Sequence, residues 1–157
     1  MLPTGGGIES IVHSLLFGGV GGAQIKRVLS GTATFPQDGT DVYVTIGPID
    51  PSKSFLVFSK MMAPPVVSIG GAAFPVMGKI HGPTQIGFHR ATDVVGQTPI
   101  NWFVIEFARG VSVQTIQTSL STSATSQTVT ISPVDPAKAF VLHSWKFRNN
   151  IGGSLNT

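Results

Sequence analysis

A twelve-residue motif occurs twice in this chain, and its duplication constrains the fold more than any other feature. The first copy, VTIGPIDPSKSF, occupies residues 44–55, and the second, VTISPVDPAKAF, occupies residues 129–140. Because Asp50 aligns with Asp135, the two copies are offset by 85 residues. A repeat of this length is the size of one structural unit, so we expect the chain to build the same unit twice.

This offset divides the chain into three segments. We predict a Gly-rich N-terminal arm over residues 1–24, a β-sandwich repeat unit over residues 25–109 and a partial second repeat unit over residues 110–157. The second unit has no counterpart of residues 73–109, which include the apolar run INWFVIEF. A half unit would expose strand edges, so we expect it to complete or extend the fold. It could pack on the first unit, be completed by strand addition from a neighbouring subunit, or belong to a longer protein.

From residue 25 onward the sequence has the pattern of β-strands. Residues 41–46, DVYVTI, alternate apolar and polar side chains, and residues 54–59 and 100–107 are apolar runs of strand length. Nineteen glycines and eleven prolines favour turns over helices. We therefore predict an all-β fold, an antiparallel β-sandwich of the jelly-roll or lectin-like type.

The N-terminal arm has a different composition. Its central stretch IESIVHSLLF, residues 8–17, is followed by the glycine-rich segment GGVGG at residues 18–22. The apolar residues of the central stretch have helical spacing, but an isolated helix of about ten residues is marginal in water. We expect a flexible arm that is either a disordered tail or a short apolar helix or strand docked on a neighbouring subunit.

Low charge indicates a surface that is covered by partners. Charged residues make up 11% of the chain, against about a quarter in typical soluble domains. The net charge of +3 is carried by scattered Lys and Arg residues without a basic run, so we expect no nucleic-acid partner. The longest N-terminal apolar stretch is too short and too rich in glycine to span a bilayer, so we expect no membrane partner.

The Asp-Pro-x-Lys element of each copy is predicted to be a structural turn. An Asp at the first position can accept a backbone hydrogen bond, and the following Pro presets the backbone of the second position. The residues of these two turns are Asp50, Pro51, Lys53, Asp135, Pro136 and Lys138. No base, oxyanion donor set or metal-ligand spacing lies near them, so we predict no catalytic, cofactor or metal site and no enzymatic activity.

A few polar residues and aromatics remain as candidates for other roles. His81 and His89 fall within one predicted hairpin near Arg90 and Asp93, which would allow a small polar site instead of ordinary surface histidines. Glu106 interrupts an apolar strand, and we expect it to lie on a polar face or to pair with Arg109 or a lysine, because an unpaired buried carboxylate is costly. The candidates for contact with a neighbouring subunit or a glycan are Trp102, Trp145 and Tyr43, and for the two tryptophans the alternative is a place in the core.

The repeat resembles modules of virion structural proteins of tailed bacteriophages. The resemblance lies in the D-P-x-K element and in WFVIEFARGVSVQ at residues 102–114, which leads into the second copy. It implies a β-sandwich that acts in a head decoration or tail protein, located in the virion, with copies of itself and other virion proteins as partners. The alternative is a carbohydrate-binding module of a tail fibre or tail tip that recognises a host-surface glycan.

Overall fold

The computed structural model describes residues 8–17, 22–36, 39–61, 75–90, 97–121 and 123–147, and for residues 8–17 and 147 it describes the backbone alone. Within these residues the chain forms nine strands and two 3₁₀ turns. The strands are β1 (Ile8–Phe17), β2 (Gln24–Phe35), β3 (Asp41–Thr45), β4 (Ser54–Lys60), β5 (Met77–Gly82), β6 (Gln85–His89), β7 (Thr98–Arg109), β8 (Val111–Leu120) and β9 (Ala139–Phe147). The 3₁₀ turns are Pro51–Lys53 and Pro136–Lys138. No helix in these ranges is long and apolar enough to cross a membrane.

The nine strands form three sheets of three strands each. The first-unit sheet has the order β2-β7-β4, the covering sheet has the order β3-β6-β5, and the second-unit sheet has the order β8-β1-β9. Every pair of neighbouring strands runs antiparallel. The predicted all-β, antiparallel fold is therefore confirmed.

The main core lies between the first-unit sheet and the covering sheet. Alternation along the strands turns one face of each sheet inward, and the fully buried apolar side chains come from both sheets: Phe35, Ile86, Phe88, Ile100 and Val104. Burying a side chain of this size contributes about 1.5–3 kcal/mol, so these residues dominate the stability of the first unit. Gly78 of β5 lets the covering sheet approach closely, because a Cβ atom there would collide with the ring of Phe58.

The second-unit sheet packs on the rest of the molecule with only one of its faces, which we call its packing face. Phe107, Val111 and Val113 form a second, smaller core there with Leu142 and Phe55. The ring of Phe140 in β9 meets the ring of Phe55 in β4 edge to face, with 6.1 Å between centroids. Towards the covering sheet, the Gly78 backbone N–H donates to Ser144 Oγ at 3.2 Å, and Lys79 Nζ donates to Gln117 Oε1 at 2.9 Å.

The N-terminal strand β1 fills the place in the second-unit sheet that β7 fills in the first-unit sheet. One row of paired residues across the first-unit sheet is Val28, Ile105 and Phe55, and the matching row across the second-unit sheet is Val113, Leu15 and Phe140. The outer residues of the two rows differ by the 85 residues of the repeat. Residues 8–17 of the same chain thus form the middle strand of the second-unit sheet, so of the two predicted alternatives, helix or strand, they adopt the strand.

The two units meet at Gly110, between β7 and β8. This residue has a φ of 76°, in the left-handed region that favours glycine. A Cβ atom at Gly110 would also collide with the backbone carbonyl of Gly22, just before β2. Glycine at position 110 therefore lets the chain pass from one unit to the next against the segment that precedes β2.

Candidate functional site

The two Asp-Pro-x-Lys elements adopt the same turn. Asp50 Oδ1 accepts the Ser52 N–H at 3.0 Å, and Asp135 Oδ1 accepts the Ala137 N–H at 3.0 Å, so each Asp caps its 3₁₀ turn. Lys53 and Lys138 follow in the last turn and lie 3.8 and 3.5 Å from the carboxylates of Asp50 and Asp135. These exposed ion pairs contribute about 0–1 kcal/mol each. The geometry is that of a chain reversal.

The first turn is tied to a buried charge cluster at Glu106. Glu106 Oε1 accepts Lys26 Nζ at 2.9 Å and the Asp50 backbone N–H at 3.1 Å, and Glu106 Oε2 accepts Arg27 Nε at 2.6 Å. The carboxylate is 1% exposed, while Lys26 and Arg27 are 54% and 33% exposed. Burial alone would raise the pKa of Glu106, but the hydrogen bonds from Lys26 and Arg27 outweigh burial and lower the pKa. Glu106 therefore stays ionised and joins β2, β7 and the first turn.

The second unit lacks all three charged groups of this cluster. At the matching positions it has Val111, Ser112 and Leu16 in place of Lys26, Arg27 and Glu106. Loss of the cations together with the carboxylate keeps the site electrically neutral, as the cost of an unpaired buried charge requires. This coordinated change agrees with the equivalence of β1 and β7 that the strand register gives.

On the outer surface of the covering sheet, three polar side chains form a hydrogen-bonded chain. Asp41 and His89 are cross-strand partners on β3 and β6, and Asp41 Oδ1 lies 2.5 Å from His89 Nδ1. His89 Nε2 in turn lies 3.0 Å from Nε2 of His81, on β5. The ring of Tyr43 stands edge-on to both imidazoles, with centroid distances of 5.2 and 5.7 Å. Gly87 makes room for this group, because a Cβ atom there would lie 2.7 Å from His81 Nε2.

The electrostatics of this group favour an ionised Asp41 and a neutral His81. Burial acts to raise the pKa of Asp41, but hydrogen bonds from His89 and Thr40 lower it overall. Burial also lowers the pKa of His81, and the neighbouring His89 and Lys79 add to this effect. The Asp41 carboxylate accepts the hydrogen of His89 Nδ1, and the hydrogen bond between the two Nε2 atoms needs a proton on one of them.

The sequence located this histidine pair only in part. The hairpin β5–β6 brings His81 and His89 together, as the short turn at residues 83–84 allows. Arg90 is directed elsewhere: its guanidinium donates to the carbonyls of Gly39 and Pro36 at 2.6 and 2.9 Å. Asp93 lies outside the described residues. Asp41 was not predicted as a member of this group. A sheet assignment that paired β3 with β6 would have placed it opposite His89.

The three aromatics predicted as contact residues occupy different environments. Trp102 is buried in the main core, where its ring packs on Gly31, so the prediction of a surface contact for Trp102 is wrong. Its indole Nε1 is buried without a hydrogen-bond partner among the described residues. Trp145 is half-buried on β9. Tyr43 is half-exposed, beside the histidine pair.

The second-unit sheet has an open face, opposite its packing face. The open face carries Val141 and Ile116, with Ile131 beside it, and corresponds to the face of the first-unit sheet that the covering sheet buries. Val141 is 62% exposed where its counterpart Leu56 is 5% exposed, and Ile131 is 38% exposed where its counterpart Ile46 is 7% exposed. No described strand takes the place of the covering sheet here.

A groove lies between β4 and β9, where the two units meet. Its volume is about 220 Å³, and it is lined by Leu56, Val57, Phe58, Leu142, His143 and Ser144. The lining is mostly apolar and offers one imidazole and one hydroxyl, without a carboxylate or a second base. Within the described ranges no three His, Cys, Asp or Glu side chains converge as metal ligands would.

Comparisons of the chain with protein-family models, with curated proteins and with solved structures found no match. Functional inference therefore depends on the geometry of the open face and of the Asp41–His89–His81 chain.

Proposed function

We propose that this chain is a non-enzymatic structural protein of a tailed-bacteriophage virion, a capsid decoration protein or tail component that acts through contacts between subunits. In this proposal the first-unit sheet and the covering sheet are the two layers of a β-sandwich of jelly-roll or lectin-like type. The resemblance of the repeat to virion modules supports the assignment, and the low content of charged residues supports a surface made for contact.

The observation that carries the proposal is the open face of the second-unit sheet. In the first unit the same face is buried under a complete sheet, whereas in the second unit Val141 and Ile131 remain exposed to solvent. Apolar side chains in such a place gain about 25 cal/mol for each Å² that a partner removes from water. The open face is thus one surface of the described residues where association with another subunit brings a gain, beside the exposed Val28, Val57 and Phe103 of the first-unit sheet.

We infer that the occupant of the open face is a second copy of the chain. Residues 110–134, which contribute β8 and the segment around Ile131, contain no charged side chain. The absence of Asp, Glu, Lys and Arg from this segment offers nothing specific to an acidic or basic partner, and we infer that the face is complementary to itself across a two-fold axis. Copies of the chain would then bury one open face against another, as the two sheets of a sandwich do.

Light scattering coupled to size-exclusion chromatography tests this inference directly. The wild-type chain is expected to self-associate as its concentration rises, and Val141→Asp is expected to weaken the association. Burying an unpaired carboxylate costs about 3 kcal/mol or more, which corresponds to at least about 100-fold in the dissociation constant. The matched control is Val28→Asp, which makes the same change at a similarly exposed strand residue of the first-unit sheet.

Two outcomes would contradict the inference: a wild-type chain that stays monomeric at every concentration, or a Val28→Asp variant that dissociates as readily as Val141→Asp. Assignment to the virion has its own test. Mass spectrometry of purified phage particles should find the chain at a copy number that fits a symmetric component, and absence of the chain from particles would refute the assignment.

A second candidate function is recognition of a host-surface glycan, and the exposure of Tyr43 favours it. Aromatic rings next to a carboxylate can stack on a sugar and accept its hydroxyl hydrogens, and Tyr43 lies beside Asp41 and His81. A glycan array screened with the wild-type chain and with Tyr43→Ala would decide. Binding that is lost in the variant supports this function, while a blank array rejects it.

A further inference from the structure

We propose that His81 and His89 together bind one divalent transition-metal ion of the zinc class, with Asp41 positioning the ring of His89. This site is independent of the open face and of the proposed virion role. It is built on three adjacent strands of the covering sheet, with Asp41 on β3, His89 on β6 and His81 on β5.

The first step of the argument is the direction of the two imidazoles. Their Nε2 atoms lie 3.0 Å apart, with 5.2 Å between the ring centroids, so each ring turns this nitrogen toward the other in one hydrogen bond. Metal binding would break this hydrogen bond, and its proton would pass to the other nitrogen of the ring that carries it or to solvent, which frees both Nε2 lone pairs for the ion. Zn–N bonds of about 2.0–2.1 Å in a tetrahedral site place two ligand nitrogens about 3.3–3.4 Å apart, so the rings need to separate by only a few tenths of an ångström.

The second step is the hydrogen bond from His89 to Asp41. Metal-binding histidines almost always donate their other ring N–H to a carboxylate or carbonyl, which fixes the tautomer and raises the basicity of the ligand. The 2.5 Å contact between His89 Nδ1 and Asp41 Oδ1 supplies this arrangement. His89 is also largely buried, so its ring is held in place before any metal arrives.

The third step is access to the site. His81 is exposed, and the pairing of β5 with β6 is irregular between Ile80 and Gly82, where His81 lies. Its ring can therefore move by the small distance that metal entry requires.

The chemistry of the ligands selects the class of metal. Imidazole nitrogen suits zinc, copper and nickel, whereas magnesium and calcium require several oxygen ligands. Two protein nitrogens leave two positions of a tetrahedral ion for water or for a group from another molecule. The site should therefore bind zinc at one equivalent per chain and exchange it with solution.

Calorimetric titration of the full chain with zinc chloride near pH 7 tests the proposal. We expect a one-to-one binding isotherm that is lost in His81→Ala. The variant Asp41→Asn should keep the stoichiometry but weaken binding by about 10–100-fold, which is the usual effect of removing the partner of a metal-ligating histidine. The matched control is His143→Ala, which removes an exposed histidine of β9, in a different sheet from the pair, and it should bind zinc as the wild type does.

A second measurement keeps the test decisive if a variant folds poorly. In ¹⁵N NMR spectra of the wild-type chain, zinc should shift the Nε2 resonances of His81 and His89 together and leave their Nδ1 resonances protonated. Absence of zinc binding by the wild type, unchanged binding by His81→Ala, or shifts confined to other histidines would each overturn the proposal and leave the pair as a hydrogen bond alone.

Discussion

Replacing Glu106 with leucine gives the first-unit sheet the residue type that β1 carries at the matching position of the second-unit sheet. The wild-type carboxylate accepts hydrogen bonds from Lys26, Arg27 and the backbone N–H of Asp50. In Glu106→Leu these three donors lose their shared acceptor. We expect the variant to fold but to be less stable, since leucine suits the strand but not the cations beside it.

The size of the loss follows from the exposure of each donor. Net contributions of hydrogen bonds to charged groups are about 1.5–3 kcal/mol. Lys26 and Arg27 are 54% and 33% exposed, so both regain water and recover much of their share. The Asp50 N–H is left without its acceptor, at a cost of about 1–3 kcal/mol. Together these effects predict that Glu106→Leu lowers the free energy of unfolding by about 2–4 kcal/mol.

Variants that give the cluster the uncharged residues of the second unit separate the effect of charge pairing on stability from the effect of packing. Lys26→Val with Arg27→Ser, made without changing Glu106, leaves a buried carboxylate without its cations and should cost about 3–5 kcal/mol. The triple variant with Glu106→Leu removes every charge of the cluster. It should be more stable than the double variant by about 1 kcal/mol or more.

Urea unfolding followed by tryptophan fluorescence measures all three variants on one scale. The change in midpoint at constant slope gives each loss in free energy. If the losses of the single and double variants simply add in the triple variant, the cluster is not a coupled unit. The argument that β1 replaces β7 would then lose the support of the coordinated substitution.

Three further predictions concern the pH dependence, the core and the turns. Burial lowers the pKa of His81 below its ordinary value of 6.5, so the imidazole binds a proton more tightly in the unfolded chain than in the folded chain. The free energy of unfolding should therefore fall as the pH drops below about 6.5. Urea midpoints measured across this pH range should fall less in His81→Asn than in the wild type. Gly31→Ala places a Cβ atom 2.6 Å from Cζ2 of the buried Trp102, so calorimetry should find a loss of about 1–3 kcal/mol. Asp135→Ala removes a cap and should lower the free energy of unfolding by about 0.5–2 kcal/mol, measured by urea titration.

The turns and the all-β class could be predicted because they follow from local signals. Asp50 and Asp135 each precede a proline, and this pair of residues dictates a capped turn wherever it occurs. Alternating and apolar runs likewise identify strands without knowledge of their partners. The duplicated motif also gave the correct correspondence between β2 and β8 and between β4 and β9.

The position of β1 could not be predicted, because it depends on pairing between distant segments. The stretch from Ile8 to Phe17 has helical spacing, yet it lies between two strands whose backbone groups it satisfies. Tertiary pairing of this kind overrides the weak propensity of a short segment. The predicted pairing of Glu106 with a lysine is confirmed by Lys26, but the same limit applies to its second partner, which is Arg27 on the neighbouring strand and not the nearby Arg109.

Burial and the meeting of side chains across sheets were also outside the reach of the sequence. Tryptophan is common among contact residues, but the alternation of side chains along β7 places Trp102 in the core, against Gly31. Asp41 and His89 are far apart in the chain and become neighbours only because β3 pairs with β6. A glycine at position 87 is the one local sign that two large side chains lie above the sheet there.

Cryo-electron microscopy of the intact phage particle tests the central claim most directly, since it locates the chain and its neighbours together. The account predicts density for this chain on the head or tail, with Val141 and Ile131 of the open face buried against another copy. Particles that lack the chain, or in which the open face of every copy is exposed to solvent, would contradict the account.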